Sequence, residues 1–105
     1  MVKEITVQEL KALMDEKKDF QLIDVREEFE YEVSNLNGEN IPLGGLLLEV
    51  EKIATDKPVI IHCRSGARSA AAVMQLEAQG FTKLYNLKGG ILAWAQEIDP
   101  NIPVY

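Results

Sequence analysis

Pro58-Val59-Ile60-Ile61-His62-Cys63-Arg64-Ser65-Gly66-Ala67-Arg68-Ser69 is the stretch that decides the fold. Val59, Ile60 and Ile61 are three β-branched residues in a row. Such a run suits a strand buried on both faces, as in a parallel sheet. The alanine-rich segment from Ser69 to Gln79 predicts a helix stopped by Gly80. A thiol is therefore set where a buried strand ends and a helix begins, with two arginines and a glycine between. Backbone N–H groups and the positive helix end favour a thiolate at such a place.

Outward from that stretch, strands and helices alternate. Lys3-Glu4-Ile5 predicts a short strand. Thr6-Val7-Gln8-Glu9 fits a capping box before a helix from Val7 to about Lys17, with Val7, Leu10, Leu13 and Met14 at helical spacing. Gln21 to Val25 predicts a second strand. Arg26 to Tyr31 reads as a turn or a short helix, with Phe29 as an anchor. Asn40-Ile41-Pro42 fits an edge strand ended by its proline. Leu46 to Ala54 predicts a helix, Phe81 to Leu87 a strand, and Ile91 to Glu97 a last helix. The expectation is an α/β sandwich with a mostly parallel sheet, forming one domain over residues 1–105. In open parallel sheets ligands bind beyond the carboxyl ends of the strands. Asp24, Cys63 and Leu87 all fall at such ends, so their loops are expected to share one edge.

Composition narrows the function. The net charge is −6, which argues against unspecific nucleic-acid binding and makes Arg64 and Arg68, flanking the one cysteine, a local positive spot. A single cysteine can form neither an internal disulfide nor a Cys-x-x-Cys pair. With one histidine in the chain, it cannot build a zinc cluster either. Neither a metal nor another cofactor is expected. Met1-Val2-Lys3-Glu4 lacks the apolar core of a signal peptide, and the apolar window Ile41 to Leu48 is too short to span a bilayer. A cytoplasmic monomer without membrane or nucleic-acid partners is expected.

Gly66 permits backbone angles that turn successive N–H groups inward, and Arg64 and Arg68 add charge at the rim. Thiolate, persulfide, thiosulfate and phosphate are all favoured in such a cradle. Ala70-Ala71-Ala72 need no role beyond letting a helix lie close to a sheet. Neighbours on a strand point to opposite faces, so His62 is expected to face away from Cys63 and to be structural.

Cys63-Arg64-Ser65-Gly66-Ala67-Arg68-Ser69 resembles the active loop of the rhodanese family. Three further segments match in order. Leu22-Ile23-Asp24-Val25-Arg26-Glu27, followed by Glu30-Tyr31, is similar to the family's Asp-x-Arg segment. Ile41-Pro42 resembles its Ile-Pro turn, and Leu87-Lys88-Gly89-Gly90-Ile91-Leu92-Ala93-Trp94 its Gly-Gly-x-x-Ala-Trp end. Within the family, the chain looks most like the C-terminal rhodanese domain of adenylyltransferase–sulfurtransferases. It departs at Asn37-Gly38-Glu39-Asn40-Ile41-Pro42-Leu43, where the family writes Gly-His-Ile-Pro-Gly-Ala.

The resemblance implies a three-layer α/β/α sandwich with a five-stranded parallel sheet in the order 1-5-4-2-3. It implies a sulfurtransferase in which Cys63 takes sulfane sulfur from a small anionic donor and passes it to a thiol, cyanide or a sulfur-carrier protein. Arg64, Ser65, Gly66, Ala67, Arg68 and Ser69 would form the active loop, with Arg64 attracting the donor. Asp24 and Arg26 would order the loop, and Asp24 would pair with Arg68. The rival readings are a cysteine phosphatase or an arsenate reductase of the same fold, and a non-catalytic rhodanese-like binding module. Phosphatases read His-Cys-x5-Arg, whereas this chain has four residues between Cys63 and Arg68. A smaller cradle suits one sulfur better than a tetrahedral phosphate.

Overall fold

The computed structural model describes residues 2–104. Its elements run β1 (Glu4–Ile5), α1 (Val7–Asp15), β2 (Gln21–Asp24), α2 (Glu28–Val33) and β3 (Glu39–Asn40). Two 3-10 segments follow, Leu43–Leu48 and Val50–Lys52. The chain then forms β4 (Val59–His62), α3 (Ala67–Ala78), β5 (Leu84–Leu87) and α4 (Gly90–Glu97). The five strands form one sheet in the order β1-β5-β4-β2-β3, parallel throughout. This is the sandwich and the strand order expected.

Two apolar layers sandwich the sheet. On one face Ile23, Val25, Ile61 and Cys63 pack with Ala72, Val73 and Leu76 of α3 and with Leu46 and Ile53. On the other, Leu22, Ile60 and Leu87 pack with Val7 and Leu10 of α1 and with Ile91 and Trp94 of α4. Strand alternation sends Ile23, Ile61 and Cys63 to the α3 face and Asp24 and His62 to the α1/α4 face. The register sets Asp24 beside His62, and Ile61 beside Asn86.

Helix α1 starts as its sequence prescribes. Thr6 Oγ1 accepts the Glu9 amide at 3.1 Å, and Glu9 Oε1 accepts the Thr6 amide at 2.9 Å, a reciprocal cap that stabilises a helix start by about 1 kcal/mol. The expected helix from Leu46 to Ala54 is instead a pair of 3-10 segments. The first segment begins at Leu43, ahead of the expected start, and its Gly44 and Gly45 are poor α-helix formers. At the far end the Gln21 side chain donates to Lys52 O at 2.7 Å and accepts the Ala54 amide at 2.8 Å, which fixes the chain in an irregular path. The last strand is shorter than Phe81 to Leu87. The Phe81 amide still donates to Leu76 O at 3.1 Å, so Phe81 belongs to the exit of α3. Among the described residues no helix is long and apolar enough to cross a membrane.

Candidate active site

The carboxyl edge of the sheet gathers the loop after β4, the turn after β2 and the Lys88-Gly89-Gly90 loop after β5. Gly66 adopts φ +108°, a left-handed conformation that strains any side chain, and it caps α3. That reversal starts the helix at Ala67, two residues earlier than expected, and aims the loop's donors back at the thiol. Cys63 Sγ accepts the Gly66 amide at 3.1 Å, the Ser69 amide at 3.4 Å and the Ser69 hydroxyl at 3.3 Å. The Ser65 amide also points at it.

The loop is held from behind by α4. The amides of Ile91 and Leu92 donate to the carbonyls of Cys63 and Arg64, both at 3.0 Å. With its carbonyls turned back to α4, the loop keeps its N–H groups for the sulfur. Gly90 makes this approach possible. A Cβ there would stand 2.5 Å from both carbonyl oxygens, so no other residue fits without moving the loop.

Burial pushes the Cys63 thiol up, and the Ser69 hydroxyl with the amides of Ser69, Gly66 and Ser65 more than reverses it. The thiol therefore sits below the ordinary range. Cys63 is 1% exposed. Arg64, Ser65 and Ala67 are exposed around it and form the rim.

Arg68 does not pair with Asp24. Its Nη1 and Nη2 donate to Glu30 Oε1 and Oε2 at 2.7 and 2.9 Å, a two-pronged bond from α3 to α2. The Glu27 amide adds a third donor at 3.1 Å. The Arg68 guanidinium holds the Glu30 carboxyl down to about 2, against the opposing push of burial. The reason for the difference is strand parity. Asp24 faces the α1/α4 side, away from α3, and its carboxylate closes on Arg26 instead. Arg26 Nε lies 3.0 Å from Asp24 Oδ1, and Nη2 lies 2.8 Å from Oδ2. Both side chains are fully buried. Arg26 Nη2 also donates to Ser34 O at 2.7 Å, so this pair orders the turn from β2 into α2 rather than touching the cysteine loop.

His62 lies beside that pair, with Nε2 at 3.7 Å from Asp24 Oδ2. Burial pushes its pKa down and outweighs the pull of Asp24, which favours the neutral ring. Its orientation away from Cys63 follows the alternation expected of a strand. Phe29 is 53% exposed, whereas Trp94 belongs to the core.

Two residues with a hand in the site escaped the sequence. Glu30 was visible only as a match to a family segment, without a role. Asn86 is a buried polar residue inside the apolar strand Leu84–Leu87, and that mismatch was its signal. Among the described residues no group of three or more His, Cys, Asp or Glu could hold a metal ion. A cavity of about 560 Å³ lies at the opposite end of the sheet, lined by Met14, Gln21, Leu22, Leu36 and Ile53 among others. It holds none of the cradle residues, and its lysines, Lys52 and Lys57, are paired with Glu49 and Asp19.

Residues 6–97 match the Rhodanese-like domain family. A sulfurtransferase of Allochromatium vinosum is 35% identical over 97 residues, which cover 91% of each chain. The adenylyltransferase and sulfurtransferase MOCS3 of Aedes aegypti is 36% identical over 112 residues; the match covers 96% of this chain and 26% of that protein. This chain thus spans about a quarter of the length of such two-activity relatives. A rhodanese-like domain protein of Staphylococcus aureus superposes with a TM-score of 0.84 at 31% identity, and the alignment covers 99% of both chains.

Proposed function

Because the chain belongs to the rhodanese family, we propose that it is a sulfurtransferase that carries sulfur as a persulfide on Cys63. The observation that supports this most is the convergence of the Gly66 and Ser69 amides and the Ser69 hydroxyl on a single sulfur atom. The Cys63 thiolate attacks the sulfane sulfur of a small anionic donor such as thiosulfate. A bond forms between Sγ and that sulfur. The bond to the donor's remainder breaks, and its electron pair leaves with the leaving group, sulfite in the case of thiosulfate. The terminal sulfur of the persulfide then bears the negative charge, which loop N–H groups and the positive end of α3 stabilise as an oxyanion hole stabilises oxygen. An acceptor nucleophile, cyanide or a thiol or a nucleophilic group on a sulfur-carrier protein, bonds to the terminal sulfur; the S–S bond breaks, and Sγ departs as thiolate. No external oxidant or reductant enters, and no cofactor is called for. Arg64, exposed at the rim, draws the anionic donor. A mechanism built on a free thiol fits a reducing compartment such as the cytoplasm.

Two features weigh against phosphate chemistry. The loop has four residues between Cys63 and Arg68, one fewer than the phosphatase pattern. The Arg68 guanidinium is also spoken for, with both terminal nitrogens on Glu30, so it is not poised to fork a phosphoryl group. The test is direct. Incubation with thiosulfate and cyanide should produce thiocyanate, while p-nitrophenyl phosphate should be left intact. Intact mass after donor treatment should show one added sulfur, removed by dithiothreitol and absent in Cys63→Ala. Turnover of the phosphate ester without thiocyanate formation reverses the assignment.

A further inference from the structure

The Ser69 hydroxyl has one hydrogen and three acceptors around it: Cys63 Sγ at 3.3 Å, Gly66 O at 3.2 Å, and Asn86 Oδ1 in a short contact. Gly66 O is already served, because it accepts the Ala70 amide at 3.0 Å and Asn86 Nδ2 at 3.2 Å. The amide orientation of Asn86 is fixed by its neighbours. Gly66 O and Glu4 Oε2, the latter 3.5 Å away, can only accept, so the NH₂ end must face them and the oxygen must face Ser69. The Ser69 hydrogen therefore has two destinations, Asn86 Oδ1 and Cys63 Sγ. Asn86 is 3% exposed, so bulk solvent is a poor replacement for a donor lost from its oxygen.

We propose that Asn86 is a positioning residue that competes with Cys63 for the Ser69 hydrogen and so sets how readily the thiol ionises. When Sγ is a thiolate, Ser69 donates to it, and Asn86 Oδ1 is left buried without a donor. When Sγ carries no charge, as a thiol or as the inner sulfur of a persulfide, Ser69 returns its hydrogen to Asn86. The asparagine thus stabilises the uncharged states of Sγ relative to the thiolate. In the thiol state the S–H in turn donates to Ser69 Oγ. The persulfide half of this statement rests on the sulfurtransferase reading above; the thiol half does not.

Because Cys63 is the one cysteine of the chain, the thiolate ultraviolet absorbance of the whole protein reports it alone. In Asn86→Leu, close to isosteric, the competing oxygen is gone. The thiolate-to-thiol ratio at a fixed pH below the wild-type midpoint should rise about three- to tenfold, the equivalent of one hydrogen bond. In Asn86→Asp, which keeps the acceptor and adds charge, the ratio should fall. Both comparisons are repeated in Ser69→Ala, where Asn86→Leu should change the ratio less than about twofold. A merely structural role would shift both backgrounds alike. An equal rise in both, or no rise with Ser69 present, overturns the proposal, and should Asn86→Leu not fold, an Asn86→Asp ratio at or above wild type does so. The titration needs no sulfur donor, so its failure is distinct from a failure to form thiocyanate.

Discussion

Two arginine–carboxylate pairs flank the carboxyl edge of the sheet, and they differ in what surrounds them. Arg26 and Asp24 are fully buried on the α1/α4 side. Arg68 and Glu30 join α3 to α2, with the Arg68 side chain 36% exposed. The chemistry is the same, yet water can stand in for a lost partner only in the second. The buried pair is therefore a fixed strut under the turn after β2. The half-open pair is a brace on the first turn of α3, one residue before the Ser69 that serves the cradle.

The comparison breaks most sharply at Asp24. Asp24→Ala should strand a buried guanidinium and cost about 3–5 kcal/mol in urea unfolding. The double variant Asp24→Leu/Arg26→Met should recover most of that loss, because apolar groups of similar volume need no partner. Equal stability of single and double variants would show that the strut is not a closed pair. Glu30→Gln should cost less, about 1–2 kcal/mol in the same measurement, while Cys63 still loads sulfur by intact mass. If it matched Asp24→Ala, exposure would not be what separates the two pairs.

Acid sharpens the distinction further. The Glu30 carboxyl is held at about 2 in the folded chain, below its ordinary value of 4.5. A depressed carboxylate stabilises the fold above its unfolded pKa and loses that contribution as pH falls through the folded one. The stability gap between wild type and Glu30→Gln should therefore be full above pH 4.5 and shrink toward pH 2. A gap that persists unchanged to the acid end would assign the effect to packing. The smallest effect belongs to His62. Both of its ring nitrogens are buried with no hydrogen-bond partner among the described residues, and burial favours the neutral ring. His62→Leu should stay within about 1 kcal/mol of wild type and leave thiocyanate formation unchanged. A large loss of turnover would draw His62 into the chemistry.

The parts of this edge that depend on local pattern could be read from the sequence. The run Val59-Ile60-Ile61, the glycine at 66 and the alanines after Ser69 prescribe strand, reversal and helix wherever they occur. The resemblance supplied the strand order. The pairing of Arg68 was not legible, because it depends on which face each side chain takes across two strands and a helix. Asp24 ends β2 and is turned to the α1/α4 side by strand parity, whereas Glu30 reaches Arg68 from α2. The irregular path before β4 was misread as a helix from Leu46 to Ala54 for a related reason. Its apolar spacing is helical, but the Gln21 side chain competes for its backbone from a distant strand. Asn86 shows the converse, a local oddity whose meaning lies in a loop twenty residues upstream.

The seat of Gly90 beneath the cysteine loop has a consequence for anyone resizing that loop. The start of α4 is molded to the carbonyls of Cys63 and Arg64 with no spare volume. An insertion that widened the ring would lift those carbonyls off their donors, and a transplanted loop would arrive without its support. Wider-mouthed chimeras of this scaffold should therefore need both segments exchanged together, the ring and the helix start that carries it.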